Sequence, residues 1–263
     1  MGAGNGPAYI HHSADLTQAL KCILESKTFD NGTVCASEQS IIVEAPMEGR
    51  LLEEGKKLGF YFMDARQAGL LAGLLFRPNG TLNPEIVGKS APFLAEKAGF
   101  SVPEETHILV AREQEAGPTR PYSLEKLCPV LALFVMENEE AVLQRAMEVL
   151  TLEGSGHTFV IHAADEAVIR RFGLQIPVSR FLVNTPAALG GIGATTRLFP
   201  ALTLGCGAVG GSASSNNISP LDLINIRRVA WGEEGRSFHH SSHPSVDDGL
   251  VERLTEQILK RLG

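Results

Sequence analysis

The sequence predicts an α/β protein built on an open sheet of alternating strands and helices. Short apolar runs rich in β-branched residues recur along the chain. One of them, Pro129-Val-Leu-Ala-Leu-Phe-Val135, is continuous enough to be buried on both faces, as in a parallel sheet. Between these runs lie segments with apolar residues at helical spacing, such as Leu16, Leu20 and Ile23-Leu24 within residues 15–26. A length of 263 residues, 44% of them hydrophobic and 20% charged, leaves room for a proper core.

Taken in order, residues 2–7 are a glycine-rich entry to a strand at Ala8-Tyr9-Ile10, and the helix 15–26 follows. Ile41-Ile42-Val43 reads as a buried strand, and 48–75 as two helices broken near 59–64. Phe76-Arg-Pro-Asn-Gly80 has the composition of a turn. Residues 91–98 read as a helix, 107–111 and 129–135 as strands, and 139–151 as a helix facing inward through Val142, Ala146 and Val149-Leu150. Residues 159–162, 181–183 and 223–229 complete the strands. From 232 to 249 the chain turns polar, with His239, His240 and His243, and reads as a flexible linker. Residues 250–263 carry Leu250, Val251, Leu254, Ile258, Leu259 and Leu262 on one stripe of a short amphipathic helix.

The net charge of −7 and the lack of a basic stripe give no nucleic-acid footprint. Cys22, Cys35, Cys128 and Cys206 lie far apart without CxxC spacing, so neither a disulfide framework nor a metal site is expected. No apolar run is long enough to span a membrane, and the N-terminus lacks the form of a signal peptide. A cytoplasmic protein is the expectation.

The segment Ser26-Lys-Thr-Phe-Asp-Asn-Gly-Thr-Val-Cys35-Ala-Ser-Glu-Gln-Ser40 places one thiol between an Asn-Gly turn and a strand. A cysteine so placed can present its sulfur beside backbone N–H groups, which stabilise a thiolate and an oxyanion alike. A free cysteine is more often an apolar filler, yet Thr28, Asp30, Asn31, Ser37, Glu38 and Gln39 surround this one with polar groups that a filler does not need. Glu125, read from the residues alone, is a solvated loop carboxylate ahead of a strand. His157 follows Gly154-Ser-Gly156 and is either a capping residue of a turn or a proton carrier with a near-neutral pKa. His162, inside an apolar strand, reads as structural. Gly190-Gly-Ile-Gly193 lacks the Lys and Ser/Thr of a P-loop.

The cysteine segment, Gly156-His-Thr158 and Leu202-Thr-Leu-Gly-Cys-Gly207 resemble the CoA-acylating aldehyde dehydrogenases, and the resemblance runs over residues 2–231. It implies that residues 1–222 are a catalytic domain, that 223–231 are an oligomerisation strand, and that the chain forms a homo-oligomer. It implies Cys35 as nucleophile and His157 as acid/base toward the CoA thiol. Glu125 would hydrogen-bond the nicotinamide ribose, with Leu127 alongside the ring. Asn31, Asn184, Thr185, Pro186, Gly205 and Cys206 would line the substrate channel. Cys206 has no adjacent base and is not a nucleophile candidate. The implied reactants are a short-chain aldehyde such as acetaldehyde or propionaldehyde, NAD or NADP, and CoA. Ala208-Val209 and Ser214-Ser-Asn216-Asn217 depart from the family pattern, which leaves the aldehyde open.

Hydrolytic relatives carry a water-activating Glu where this chain has Met1, so an acyl group on Cys35 is expected to wait for CoA. The family's nicotinamide-binding half precedes the matched segment, and its absence from this sequence is expected to make it a partner in trans or a lost part. Two rival readings stand beside this one. A CoA-dependent semialdehyde dehydrogenase would use Arg120, Arg180 or Arg197 for a charged tail, with nothing to choose among them; a catalytically silent fragment would serve assembly alone. The terminal helix resembles the encapsulation peptides that tether enzymes to bacterial microcompartment shells, which implies a shell-protein partner; packing on its own domain or a neighbouring subunit is the alternative.

Overall fold

The computed structural model describes residues 3–234. The chain divides into two units, Met1–Leu223 and Ile224–Gly263. The first contains seven strands, β1 (Gly6–Ile10), β2 (Glu38–Glu44), β3 (Phe60–Phe62), β4 (Ile108–Glu113), β5 (Val130–Met136), β6 (Gly156–His162) and β7 (Val178–Val183). They form one sheet in the order β3-β4-β5-β2-β1-β6-β7, and every pairing is parallel. The helices are α1 (Leu16–Thr28), α2 (Glu48–Lys57), α3 (Ala65–Leu75), α4 (Ala91–Ala98), α5 (Glu139–Val149), α6 (Glu166–Gln175) and the short α7 (Ala187–Gly191).

Parallel strands need crossovers, and here helices cover both faces of the sheet. Successive side chains of a strand point to opposite faces, so each strand feeds two cores. Tyr9, Ile42, Leu109, Ala132, Phe134, Phe159 and Ile161 pack with Leu71 and Leu75 of α3, Leu94 of α4, Val142 and Ala146 of α5 and Phe172 of α6. Ala8, Ile10, Ile41, Val43, Val110, Leu131, Val160 and Leu182 pack with Leu16, Leu20 and Ile23 of α1 and Leu51 of α2. The expected α/β sheet is therefore present, with its central strands sealed on both sides.

The structure departs from the sequence expectation in several places. The break at 59–64 is a strand, β3, entered through Gly59 at φ +81°; three residues are too few to show a period. Helix α6 was not anticipated, although Asp165 accepts from the Ala167 and Val168 N–H groups and Val168 and Phe172 sit one turn apart. Helix α5 ends at Val149 in a π turn, Leu150–Gly154. Over 223–229 the expected strand is absent: a 3-10 turn spans Pro220–Leu223, and Ile224, Ile226 and Val229 are exposed without a ladder. A strand exists only by pairing its N–H and C=O groups, and among the described residues 223–229 take part in no ladder. Beyond residue 234, most of the expected linker and the whole of the 250–263 helix lie outside the described residues. Among the described residues no helix is long and apolar enough to cross a membrane.

Local chemistry sets the helix starts. At α3, Asp64 Oδ1 accepts from Gln67 N–H at 2.8 Å and Gln67 Oε1 accepts from Asp64 N–H at 3.1 Å, a reciprocal capping box. Asp64→Ala is expected to cost about 1 kcal/mol in a urea titration, and an unchanged midpoint would contradict the cap.

Candidate active site

The residues singled out for chemistry collect mainly at the amino edge of the sheet, although open α/β sheets usually bind at the carboxyl edge. Cys35 lies three residues before β2, Gly4 just before β1, Glu125 and Leu127 ahead of β5, and His157 at the second position of β6. Arg180, in β7, is in register with Thr158.

Cys35 is half-buried in the loop between a 3-10 turn at Phe29–Gly32 and β2. Asp30 and Asn31 both adopt left-handed backbone at φ +47° and Gly32 at φ +77°, so the turn folds back sharply toward the strand. A Cβ at Gly4 would lie 1.8 Å from the Cys35 carbonyl oxygen, so only glycine lets the lead into β1 pass there. Burial and the Glu125 carboxylate push the thiol up from its ordinary value, while its own backbone N–H and the Arg180 guanidinium pull it down. The activating donor expected of the turn is present but outweighed, because burial destabilises the thiolate more.

Glu125 is no solvated loop carboxylate. Its Oε1 accepts from the Gly4 N–H at 2.7 Å, and its own N–H donates to Glu153 Oε2 at 2.7 Å. Burial pushes its carboxyl up, with Glu153 adding to the rise and the Gly4 N–H opposing it. Leu127 sits at φ +44°, rare for a side chain of its size, and its carbonyl accepts from Gly88 N–H at 3.0 Å.

His157 is buried, with Nδ1 2.9 Å from Thr158 Oγ1. Its pKa is pushed down to about 4, first by burial and then by Arg180, so the near-neutral value expected from the sequence does not hold. Arg180 is 2% exposed. It donates to Gly205 O at 2.6 Å, Ser215 O at 3.4 Å and, through Nε, Thr158 Oγ1 at 3.4 Å. Of the three arginines the sequence left equal, Arg120 is paired with Glu115 at the surface and Arg197 is exposed, whereas Arg180 acts on Cys35, Cys206 and His157. A lone charge inside the strand Val178-Ser-Arg-Phe-Leu-Val183 was the signal for it.

The expected channel residues separate. Cys206 is buried beside Gly156, and Gly205 holds Arg180 through its carbonyl, so both join the site. Asn31 is exposed on the cysteine turn. Asn184 does not reach Cys35: it sits past the carboxyl end of β7, with its side chain donating to Ala163 O at 2.8 Å and accepting from Ala163 N–H at 3.0 Å. Thr185 is bonded to Thr195, and Pro186 precedes α7. These three frame a corner whose polar groups are used within the chain. From that corner α7 returns beneath the cysteine turn, where Ala187 N–H donates to Glu38 Oε1 at 3.0 Å and Ala188 N–H to Ser26 Oγ at 2.8 Å.

Missed by sequence reasoning is a buried charged layer under the site. Lys126 donates to Tyr122 O and Leu124 O at 2.7 and 2.6 Å, and burial pushes its pKa down to about 7. Burial lowers Lys27 to about 8 and raises Glu38 to about 7. At the opposite edge, one ligating atom from each of His11, His12 and Glu44 falls within 4.8 Å of the others. Ser13 Oγ there accepts from the Ala164 and Asp165 N–H groups and so donates its own proton to His11 Nδ1. His11 Nε2 lies 3.4 Å from Glu139 Oε1 without making a hydrogen bond to it.

No family model matches the chain. It is 40% identical over 238 residues to an aldehyde-alcohol dehydrogenase of Streptococcus pneumoniae, covering 87% of this chain and 27% of that protein. An acetylating aldehyde dehydrogenase of Geobacillus thermoglucosidasius superposes with a TM-score of 0.87 at 42% identity, over 90% of this chain and 52% of that one. A propionaldehyde dehydrogenase of Rhodopseudomonas palustris, solved with bound CoA and an acylated cysteine, superposes with a TM-score of 0.72 at 26% identity, over 81% of this chain and 48% of that one. The chain thus spans about half of these structures and a little over a quarter of the curated relative.

Proposed function

We propose, for a chain that matches the acylating aldehyde dehydrogenase domain over most of its length, that it carries the acyl-transfer chemistry of a CoA-acylating aldehyde oxidation. The observation that supports this reading best is the grouping of Cys35, Glu125 and the Arg180–Thr158–His157 chain at one edge of one sheet. Cys35 Sγ attacks the carbonyl carbon of a short-chain aldehyde, and the Cys35 backbone N–H faces the oxygen that becomes negative. Oxidation leaves a thioester on Cys35, which CoA then collects as acyl-CoA, as the CoA-bound, acylated relative suggests.

A nicotinamide dinucleotide, when bound, supplies the hydride acceptor for the oxidation. The residues present fit it. Glu125 Oε1 is taken by Gly4, which leaves Oε2 as the oxygen that would accept from a ribose hydroxyl. Leu127, in its left-handed turn, presents an apolar side chain two residues on. The ribose is common to NAD and NADP, so these residues serve either. The exposed Ile224, Ile226, Val229 and Trp231 are offered as the strand that would pair with a second copy, where a ladder becomes available.

Acyl exchange tests the reading without any nicotinamide, because Cys35–SH and acyl-CoA interconvert with the Cys35 thioester and free CoA. The full chain incubated with acetyl-CoA is expected to gain one acetyl group on Cys35 by mass spectrometry. Cys35→Ala is expected to lose it and Cys206→Ala to keep it. No acetylation of the wild-type chain would favour a fragment that serves assembly alone.

A further inference from the structure

Resting on the site just proposed, we infer that Thr158 is a positioning residue that fixes His157 with its proton on Nε2, so that the ring meets the acyl group as a hydrogen-bond donor and not the CoA thiol as a base.

The assignment follows from which atoms can only donate. The Arg180 Nε–H has no lone pair to offer, so Thr158 Oγ1 is the acceptor of that 3.4 Å bond. Thr158 is 1% exposed, and its hydroxyl proton needs an acceptor of its own. The polar neighbour that remains to it among the described residues is His157 Nδ1, at 2.9 Å. Were Nδ1 to carry the ring proton, two donors would face each other, or the hydroxyl proton would be stranded in the interior. The hydroxyl therefore donates into the Nδ1 lone pair. A neutral imidazole has one proton, and it then resides on Nε2.

The chain is anchored at its far end. Gly205 O and Ser215 O hold the guanidinium across the glycine-rich loop, so Arg180 cannot turn to present a different face to Thr158. Its charge polarises the hydroxyl toward the ring and opposes a second proton there, in line with the downward pKa of His157. The ring thus has Nδ1 closed and Nε2 filled, with no lone pair for a thiol proton. In the exchange, CoA sulfur bonds to the acyl carbon as the Cys35 C–S bond breaks. The proton leaving the CoA thiol ends on the departing Cys35 sulfur, and a neutral Nε2–H donates to the oxygen as charge gathers on it.

Long-range proton–nitrogen correlation spectra of the full chain, labelled with 15N histidine and assigned with His157→Gln, read the tautomer directly. At pH 7 the wild type is expected to show a pyridine-type Nδ1 and a pyrrole-type Nε2 for His157. Thr158→Val, which keeps the shape and removes the hydroxyl, is expected to shift the ring toward the other tautomer and to slow acetyl exchange onto Cys35 about tenfold. Thr158→Ser is expected to restore both. A wild-type ring protonated at Nδ1, or a Thr158→Val ring unchanged from wild type, overturns the inference. Should the valine variant not fold, the wild-type and serine spectra decide. A wild type with the expected tautomer but no acetyl exchange would sink the proposed activity and leave the positioning role standing.

Discussion

Gly156→Ala is expected to destabilise the fold by more than about 3 kcal/mol, while Gly211→Ala, in the loop against which Gly156 packs, is expected to cost only about 1 kcal/mol. Both glycines are left-handed, at φ +74° and +68°, so both substitutions carry the same backbone penalty. They differ in what a Cβ would meet. At Gly156 it would lie 2.0 Å from the Cys206 carbonyl oxygen and 2.7 Å from the Gly210 nitrogen, whereas at Gly211 nothing lies within 4 Å. Backbone atoms have no rotamer to escape into, so the whole 205–211 loop must move away from β6. That loop carries the Gly205 carbonyl that holds Arg180, so whatever protein still folds is expected to exchange acyl groups more slowly as well. Urea titrations of the two variants check the claim, and equal losses would show that the loop yields freely.

The same logic explains where strain is tolerated. Among the described residues four other than glycine have positive φ, and three of them, Asp30, Asn31 and Leu127, flank the site. Aspartate and asparagine adopt this conformation readily; leucine does not. Leu127 is held there because its neighbours are fixed one by one. Glu125 N–H is fixed by Glu153, Lys126 N–H by Gln39 Oε1 at 3.0 Å, and the Leu127 carbonyl by Gly88 N–H. Local strain of this kind persists where surrounding bonds over-determine it, and such places gather at functional sites.

Much of the sheet could be read from the chain because each central strand is an apolar run and each long helix repeats at 3.6 residues. Residues 91–98 and 129–135 fall on α4 and β5 to within a residue. Strand β3 escaped because three residues cannot display alternation, and α6 because its apolar side is only Val168 and Phe172. At the site, the cysteine turn was legible from Asn31-Gly32, whereas the bonds of Glu125 to Gly4 and Glu153 were not. The state of His157 was not. A sequence shows a histidine beside glycines; it does not show that Thr158 bonds to that ring and to an arginine 22 residues further along, at position 180. Nor does the sequence show that Asn184 bonds to Ala163 and Thr185 to Thr195.

His162→Leu is expected to remove about 3 kcal/mol of acid-induced destabilisation between pH 6.5 and pH 4. His162 closes β6 against Ile10 of β1, is 2% exposed, and leaves Nε2 without a partner. Burial alone pushes its pKa down to about 4. An unfolded histidine titrates near the ordinary value of about 6.5. Between those two pH values the unfolded chain binds the extra proton and the folded chain refuses it, so stability rises with pH. The contribution is complete above about 6.5 and lost as pH falls through 4. His157 adds a slope of the same sign. Glu38 opposes both: its carboxyl, raised to about 7, takes a proton in the folded state first and favours folding as pH drops from about 7 toward 4.5. The wild-type curve is therefore flatter than the two histidines together would make it, and the difference between variant and wild type isolates position 162. Urea titrations from pH 7 to pH 4 are expected to show the stability difference shifting toward the leucine variant as pH falls. Parallel curves would mean that the ring stays neutral, or charges freely, in both states.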